Sequence, residues 1–205
     1  MILCLVTDRR RRPTIEQCRA ASRAGVDLVQ LREPDLEAAA LSSVATRLVE
    51  ATGDTATRII VNDRVDVALT CGAGGVHLRG DSIPPRRVRE MTPPGFLVGR
   101  SVHGVDEAVL AARDADYLIA GTVFPTASKP GLRAHLGVDG LSAIVRAVDI
   151  PVLAIGGVSM DRIEAVAGAG AAGVAAIGLF DADADALFLT VREARRRFDR
   201  ARSPS

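Results

Sequence analysis

Val152-Leu153-Ala154-Ile155-Gly156-Gly157-Val158-Ser159 reads as a buried strand that stops at two glycines. Its four leading residues are apolar without alternation, the pattern of a strand covered on both faces by helices. A second run of this kind, residues 173–177, stops at Gly178. A glycine just past a strand lets the backbone turn sharply and bring its N–H groups close to an anion. Two such ends in succession match the phosphate-binding face of an eight-stranded barrel, where the loops after the last two strands hold the phosphate. They predict a small phosphorylated ligand, with Gly157 and Gly178 at its phosphate.

Working toward the N-terminus, six more short apolar runs appear: Ile2–Val6, Leu28–Leu31, residues 59–61, Gly75–Leu78, residues 97–99 and residues 117–120. Between the runs lie helix-period stripes. Leu41, Val44, Ala45 and Leu48 share one face, as do Val105, Ala108, Val109 and Ala112. Leu141, Ile144, Val145 and Val148 repeat the pattern, and Leu187, Val191, Ala194 and Phe198 close it. Eight strands alternating with about eight helices fit a doubly wound sheet or a closed (β/α)8 barrel. No G-x-G-x-x-G follows the first strand, where Val6-Thr7-Asp8 runs into Arg9-Arg10-Arg11-Arg12, which weakens a dinucleotide-binding sheet. No linker-like segment divides the chain. The expectation is α/β, a single (β/α)8 TIM barrel over residues 1–200, with residues 201–205 as a frayed tail.

Composition excludes several classes of function. Of 205 residues, 48% are apolar and 25% charged, so the chain can bury a core and is not disordered. The 26 Lys and Arg balance 25 Asp and Glu to +1, which argues against a nucleic-acid partner. Aromatics are 3% with no Trp, so base-stacking platforms are excluded as well. Cys4, Cys18 and Cys71 are odd in number and lack C-x-x-C spacing, so they read as reduced thiols rather than a disulfide or zinc framework. No apolar run is long enough to span a membrane, and the first residues lack the basic and small-residue flanks of a signal peptide. A cytoplasmic location follows as the expectation, with no membrane partner; a homo-oligomer is compatible with the sequence.

In such a barrel the chemistry lies where polar residues end the strands. In Val29-Gln30-Leu31-Arg32-Glu33 the period of two puts Gln30 and Arg32 on one face, the barrel mouth if Val29 and Leu31 face helices. The plain alternative for Arg32 is an internal ion pair with Glu33 or Asp63. Asn62-Asp63 at the third strand's end can bind a metal or a ring nitrogen, or Asp63 can cap the helix at 65–71. His77 and His103 end the fourth and fifth strands. His77 reads as scaffold, whereas His103 is the better general acid/base. The loop Phe124-Pro125-Thr126-Ala127-Ser128-Lys129-Pro130-Gly131 offers two hydroxyls and a Lys, suited to phosphate or pyrophosphate. The four arginines at 9–12 read as a solvated rim, and Asp181, Asp183 and Asp185 as acids favoured by the last helix's dipole.

Taken together, these segments resemble the thiamine phosphate synthase / thiazole tautomerase family. The resemblance rests on Val6-Thr7-Asp8, Gln30-Leu31-Arg32-Glu33, Asn62-Asp63-Arg64-Val65-Asp66, Gly75-Val76-His77-Leu78, Gly99-Arg100-Ser101-Val102-His103, the Phe124 to Gly131 loop, Ile155-Gly156-Gly157 and Gly173-Val174-Ala175. It touches all eight strands in order. What it implies for the synthase branch is a union of hydroxymethylpyrimidine pyrophosphate with thiazole phosphate, the pyrophosphate leaving first. Mg²⁺ would be held by Asp63, and Gln30, Arg32, Asn62, Ser101, Thr126, Ser128 and Lys129 would bind substrate. The synthase pattern has Lys where this chain has Pro34, a metal-binding carboxylate where it has Ser82, with Asp81 beside it as a substitute metal ligand, and Ser where it has Gly178.

Those departures place the tautomerase branch first. It aromatises a carboxylated thiazole phosphate by moving one proton and needs no cofactor. Its catalytic His falls at Thr122 here, so His103, or a water held by Thr122, is expected to move the proton. The alternative is the synthase, with Mg²⁺ and with Asp63 in the catalytic role. A third reading is a binder or regulator that keeps the phosphate cup without turnover.

Overall fold

A computed structural model describes residues 1–126 and 135–202. Eight parallel strands close a barrel in chain order: β1 (Ile2–Val6), β2 (Leu28–Leu31), β3 (Arg58–Asn62), β4 (Gly75–Leu78), β5 (Leu97–Val102), β6 (Tyr117–Gly121), β7 (Val152–Ile155) and β8 (Gly173–Ala176). Eight helices surround them: α1 (Thr14–Arg23), α2 (Ala38–Thr52), α3 (Val65–Thr70), α4 (Pro85–Arg89), α5 (Val105–Ala111), α6 (Gly137–Arg146), α7 (Ile163–Gly168) and α8 (Ala184–Arg202). This is the single (β/α)8 TIM barrel expected from the strand rhythm. α8 continues through Arg202, past the start of the expected tail at 201, and residues 203–205 lie outside the described residues.

The period of two sorts the strand residues as anticipated. Val29, Leu31, Val61, Val76 and Leu118 point outward into the layer between sheet and helices. Cys4, Val6, Leu28, Ile60, Tyr117, Ile119, Leu153 and Ala175 form a separate cluster inside the barrel. The chain's single Tyr is part of that inner packing, its ring centroid 5.7 Å from that of His77. Gly99 on β5 makes room for both: a Cβ there would meet the Tyr117 hydroxyl at 2.5 Å and His77 Nδ1 at 2.6 Å. The scarcity of aromatics is thus compatible with a filled interior, because one aromatic and one imidazole span it.

The barrel closes where β1 pairs with β8, Ile2 opposite Gly173 and Cys4 opposite Ala175. A Cβ at Gly173 would overlap the Ile2 carbonyl, so the seam needs a residue without a side chain. Cys4 and Cys18 are buried and unbridged, and burial pushes the Cys4 thiol up to about 12, an unreactive state. One helix face departs from its stripe. α5 buries Ala108 and Ala111 and leaves Val105 and Val109 exposed, so its inner face is turned away from the apolar reading. Among the described residues no helix is long and apolar enough to cross a membrane.

Candidate active site

The C-terminal ends of the strands enclose a cavity of about 1070 Å³, reached by side chains from both halves of the barrel. That exceeds the roughly 300–1,000 Å³ usual for one small ligand. On the β2–β4 side, Gln30 Nε2 donates to Asn62 Oδ1 at 2.8 Å, while Gln30 Oε1 is buried without a partner among the described residues. Arg32 faces the cavity, and among the described residues its side chain has no carboxylate partner. Glu33, the neighbour offered as its partner, turns the other way. It accepts from Thr7 Oγ1 at 2.7 Å and from the Arg9 amide at 3.1 Å, fixing the loop after β1. Arg32 is therefore a free cation in the mouth, the condition under which it binds an anionic ligand.

Asp63 does not cap α3: the residue before that helix is Arg64, and no side-chain cap bond is made. Asp63 instead adopts a left-handed φ of 63°, rare for a non-glycine residue, which turns its carboxylate toward the loop after β4. There it contacts Ser82 Oγ and lies 3.5 Å from Arg79 Nε. Arg79 also reaches Asp81, with Nε to Oδ1 at 3.0 Å and Nη2 to Oδ2 at 2.9 Å. Arg79 holds the exposed Asp81 below the usual carboxylate range, first through that hydrogen bond. Asp63 and Asp81 thus converge on one guanidinium. Arg100 anchors this loop by donating to the carbonyls of Gly80 at 2.7 Å and Ile83 at 2.8 Å. Sequence reasoning missed Arg79 and Arg100; the one available signal was their position at strand ends.

His77 is scaffold, as its lone position implied. It is 2% exposed, and desolvation pushes its imidazole down to about 3, with Arg100 adding in the same direction. The neutral ring shares a 2.9 Å hydrogen bond between Nε2 and Ser101 Oγ, holding that hydroxyl at the mouth. A folded value below the ordinary 6.5 means the unfolded chain takes up a proton first as pH falls. The stability held by the neutral ring is full above pH 6.5 and is expected to drop by up to about 1.4 kcal/mol per pH unit from there toward pH 3. Urea titrations between pH 7 and 5 measure that slope, and His77→Asn should flatten it. An unchanged slope in the variant would refute the assignment. His103 reaches the rim of the same cavity, its backbone N–H and Nδ1 facing Glu107 Oε2 at 2.8 and 3.2 Å. Sequence reasoning also missed Glu107.

Across the cavity stand the glycines. Gly156 and Gly157 have φ of 96° and 63°, values that disfavour most side chains. A Cβ on Gly157 would meet the Phe124 carbonyl at 2.8 Å, because the loop after β6 lies directly on this turn. Among the described residues nothing accepts from the Gly157 amide, while its carbonyl accepts from Arg162 Nη1 at 2.6 Å. Arg162 also stacks 4.8 Å from the Phe124 ring centroid, joining the β7 turn to the β6 loop. Thr122 is 7% exposed, and it, Thr126 and Gly178 line the same end. Ser128 and Lys129 lie outside the described residues. Asp181 is not spent on the helix dipole: it pairs with Arg11 at 3.1 Å and Arg12 at 2.9 Å, while Asp183 Oδ1 accepts from the Ala186 amide at 2.9 Å at the start of α8.

Comparison with known proteins agrees with this geometry. Residues 3–180 match the family model described as thiamine monophosphate synthase. The chain belongs to the thiamine monophosphate synthase family. It is 43% identical to a thiamine-phosphate synthase from Roseiflexus castenholzii, over 86% of this chain and 79% of the relative. It is 40% identical to one from Methanoculleus marisnigri, over 89% of each. The solved thiamine phosphate pyrophosphorylase from Pyrococcus furiosus superposes with a TM-score of 0.86 at 33% identity, covering 98% of this chain and 97% of that one. Membership makes the protein an enzyme of thiamine biosynthesis. It also corrects the order of readings: these relatives carry the synthase name, which favours the synthase over the tautomerase. The buried Thr122, where the tautomerase pattern has its His, points the same way.

Proposed function

We propose that this chain is a thiamine-phosphate synthase, joining hydroxymethylpyrimidine pyrophosphate to thiazole phosphate and releasing pyrophosphate. The observation that supports the reading is one large cavity with arginines on one side and glycine turns on the other. Arg32 and the Arg79 loop lie on the β2–β4 side, and the Gly157 and Gly178 cup on the β7–β8 side. Two anionic substrates with their reacting atoms, a methylene carbon and a ring nitrogen, between them need that arrangement.

The reading implies Mg²⁺. Among the described residues no three His, Cys, Asp or Glu side chains gather into a metal cage. Mg²⁺ does not require one, since it takes one or two carboxylates and completes its shell with water and substrate phosphate. Asp63 and Asp81, already converging on one cation, fit that donor set. They would hold Mg²⁺, which when bound supplies charge neutralisation on the leaving pyrophosphate.

The chain's own groups do the rest. Gln30 Oε1, buried and unpaired, accepts from an amino group of the pyrimidine, and Asn62 fixes the rest of the Gln30 amide. Ser101, set by His77, donates at the mouth, with Thr126, Ser128 and Lys129 on the strand-six loop. Arg32 takes up negative charge as the bond between the pyrimidine methylene and the pyrophosphate oxygen breaks, the electron pair leaving with oxygen. The thiazole nitrogen then donates its lone pair to the methylene carbon, forming the C–N bond without proton transfer. The Gly157 and Gly178 cup holds the thiazole phosphate in line for that attack.

Purified protein incubated with both substrates and Mg²⁺ should release pyrophosphate in a coupled colorimetric assay, one per thiamine phosphate formed. Absence of pyrophosphate overturns the synthase. Binding of thiazole phosphate without turnover would make the protein a binder, and aromatisation of the carboxylated thiazole phosphate would restore the tautomerase.

A further inference from the structure

The loop after β1 reaches the phosphate cup. Gln17 Nε2 on α1 donates to the Phe180 carbonyl at 3.0 Å, and Arg11 and Arg12 both pair with Asp181, so the loop is fastened to the segment after β8. The four arginines then part ways. Arg9 and Arg10 turn to Asp35 at 2.7 and 3.2 Å. Arg12 stays on Asp181 outside the cavity. Of the four, Arg11 alone lines the cavity, and a Cβ on Gly178 would come within 4.0 Å of its Nη1.

We infer that Arg11 is a ligand of the thiazole phosphate, a cation placed beside Gly178 on the rim of the cup. The inference rests on the synthase reading and names a binding residue for it. Its geometry is that of a preset donor. Asp181 Oδ2 accepts from Nη1 at 3.1 Å and Asp8 Oδ2 lies 3.7 Å from Nε, so two carboxylates tether the guanidinium. A guanidinium tethered in this way can offer its remaining N–H groups to phosphate with less further loss of side-chain freedom. Gly178, having no side chain, leaves the space beside that guanidinium open. A phosphate there would meet the guanidinium with no side chain in between. Arg11 thereby supplies a side-chain donor on the side of the cup where the family's pattern has a Ser.

Arg12 provides the internal control, since it shares Asp181 but not the cavity. Calorimetric titration with thiazole phosphate, and separately with inorganic phosphate, should show Kd rising about 10- to 100-fold in Arg11→Ala. Arg12→Ala should stay within about twofold, and Arg11→Lys should recover part of the loss. Affinity for the pyrimidine pyrophosphate, bound at the opposite end, should not change in Arg11→Ala. An unchanged Kd in Arg11→Ala, or an equal loss in Arg12→Ala, overturns the inference. Titration needs no turnover, so a wild-type protein that releases no pyrophosphate yet loses phosphate affinity in Arg11→Ala would sink the synthase reading and leave this one standing.

Discussion

Asp63→Asn is expected to reduce pyrophosphate release by about 10²–10³-fold, the scale on which enzymes lose rate when one preorganised group facing developing charge is removed. Asparagine is the informative replacement. Asp63 sits at φ 63°, a region where Asn is among the few tolerated non-glycine residues, so the backbone turn survives while the charge is lost. Alanine would remove the charge and add backbone strain, confounding the two. The carboxamide can still accept from Ser82 Oγ, which keeps the loop after β4 in place. The loss should appear in kcat and in the Mg²⁺ dependence. Thiazole phosphate affinity should be unchanged, because the proposed arrangement puts that substrate across the cavity. Release within about threefold of the parent protein would remove Asp63 from the chemistry.

Gly157→Val should act at the other end and on binding. Its φ of 63° disfavours a β-branched residue by about 1–3 kcal/mol, and its Cβ would press into the Phe124 carbonyl. Relief requires the turn to move away from the β6 loop, taking with it the Gly157 amide and the carbonyl held by Arg162. Thiazole phosphate affinity should fall by about 100-fold, the equivalent of one or two charge-assisted hydrogen bonds. Circular dichroism should show the barrel intact, since the turn lies beyond the last residue of β7. Retained affinity would show that the phosphate does not sit on this turn.

What could be read from sequence follows the range of the interactions. The strands were legible because a buried parallel strand is written in consecutive residues, and the glycine ends of β7 and β8 because a left-handed turn depends on local residue type. The inward set of β2 was legible from a period of two. The α5 face was not: its apolar stripe through Val105 and Val109 obeys the helical period, yet small alanines meet the sheet instead. The partners of Asp181 lie on the loop after β1 and those of Asp63 on the loop after β4, and no local pattern encodes a pairing between distant loops. The four adjacent arginines read as one solvated run because sequence does not show that they divide between Asp35 and Asp181. The order of the two enzymatic readings failed for a related reason. It weighed three single-residue departures from a motif, whereas relatives matching over most of the chain carry the synthase name.

The pairing of Ile2 with Gly173 also sets an order of events during synthesis. During synthesis β1 has one edge satisfied early by β2, but its other edge stays open until β8 has been made. Until then the growing protein is an open sheet with a bare rim of backbone donors and acceptors, the form most prone to pair with a neighbouring chain. The Gly173 seam is therefore a kinetic checkpoint as well as a steric one. A nascent chain stalled before residue 173 has β1–β7 but lacks Gly178 at the mouth, and its edge is unsealed.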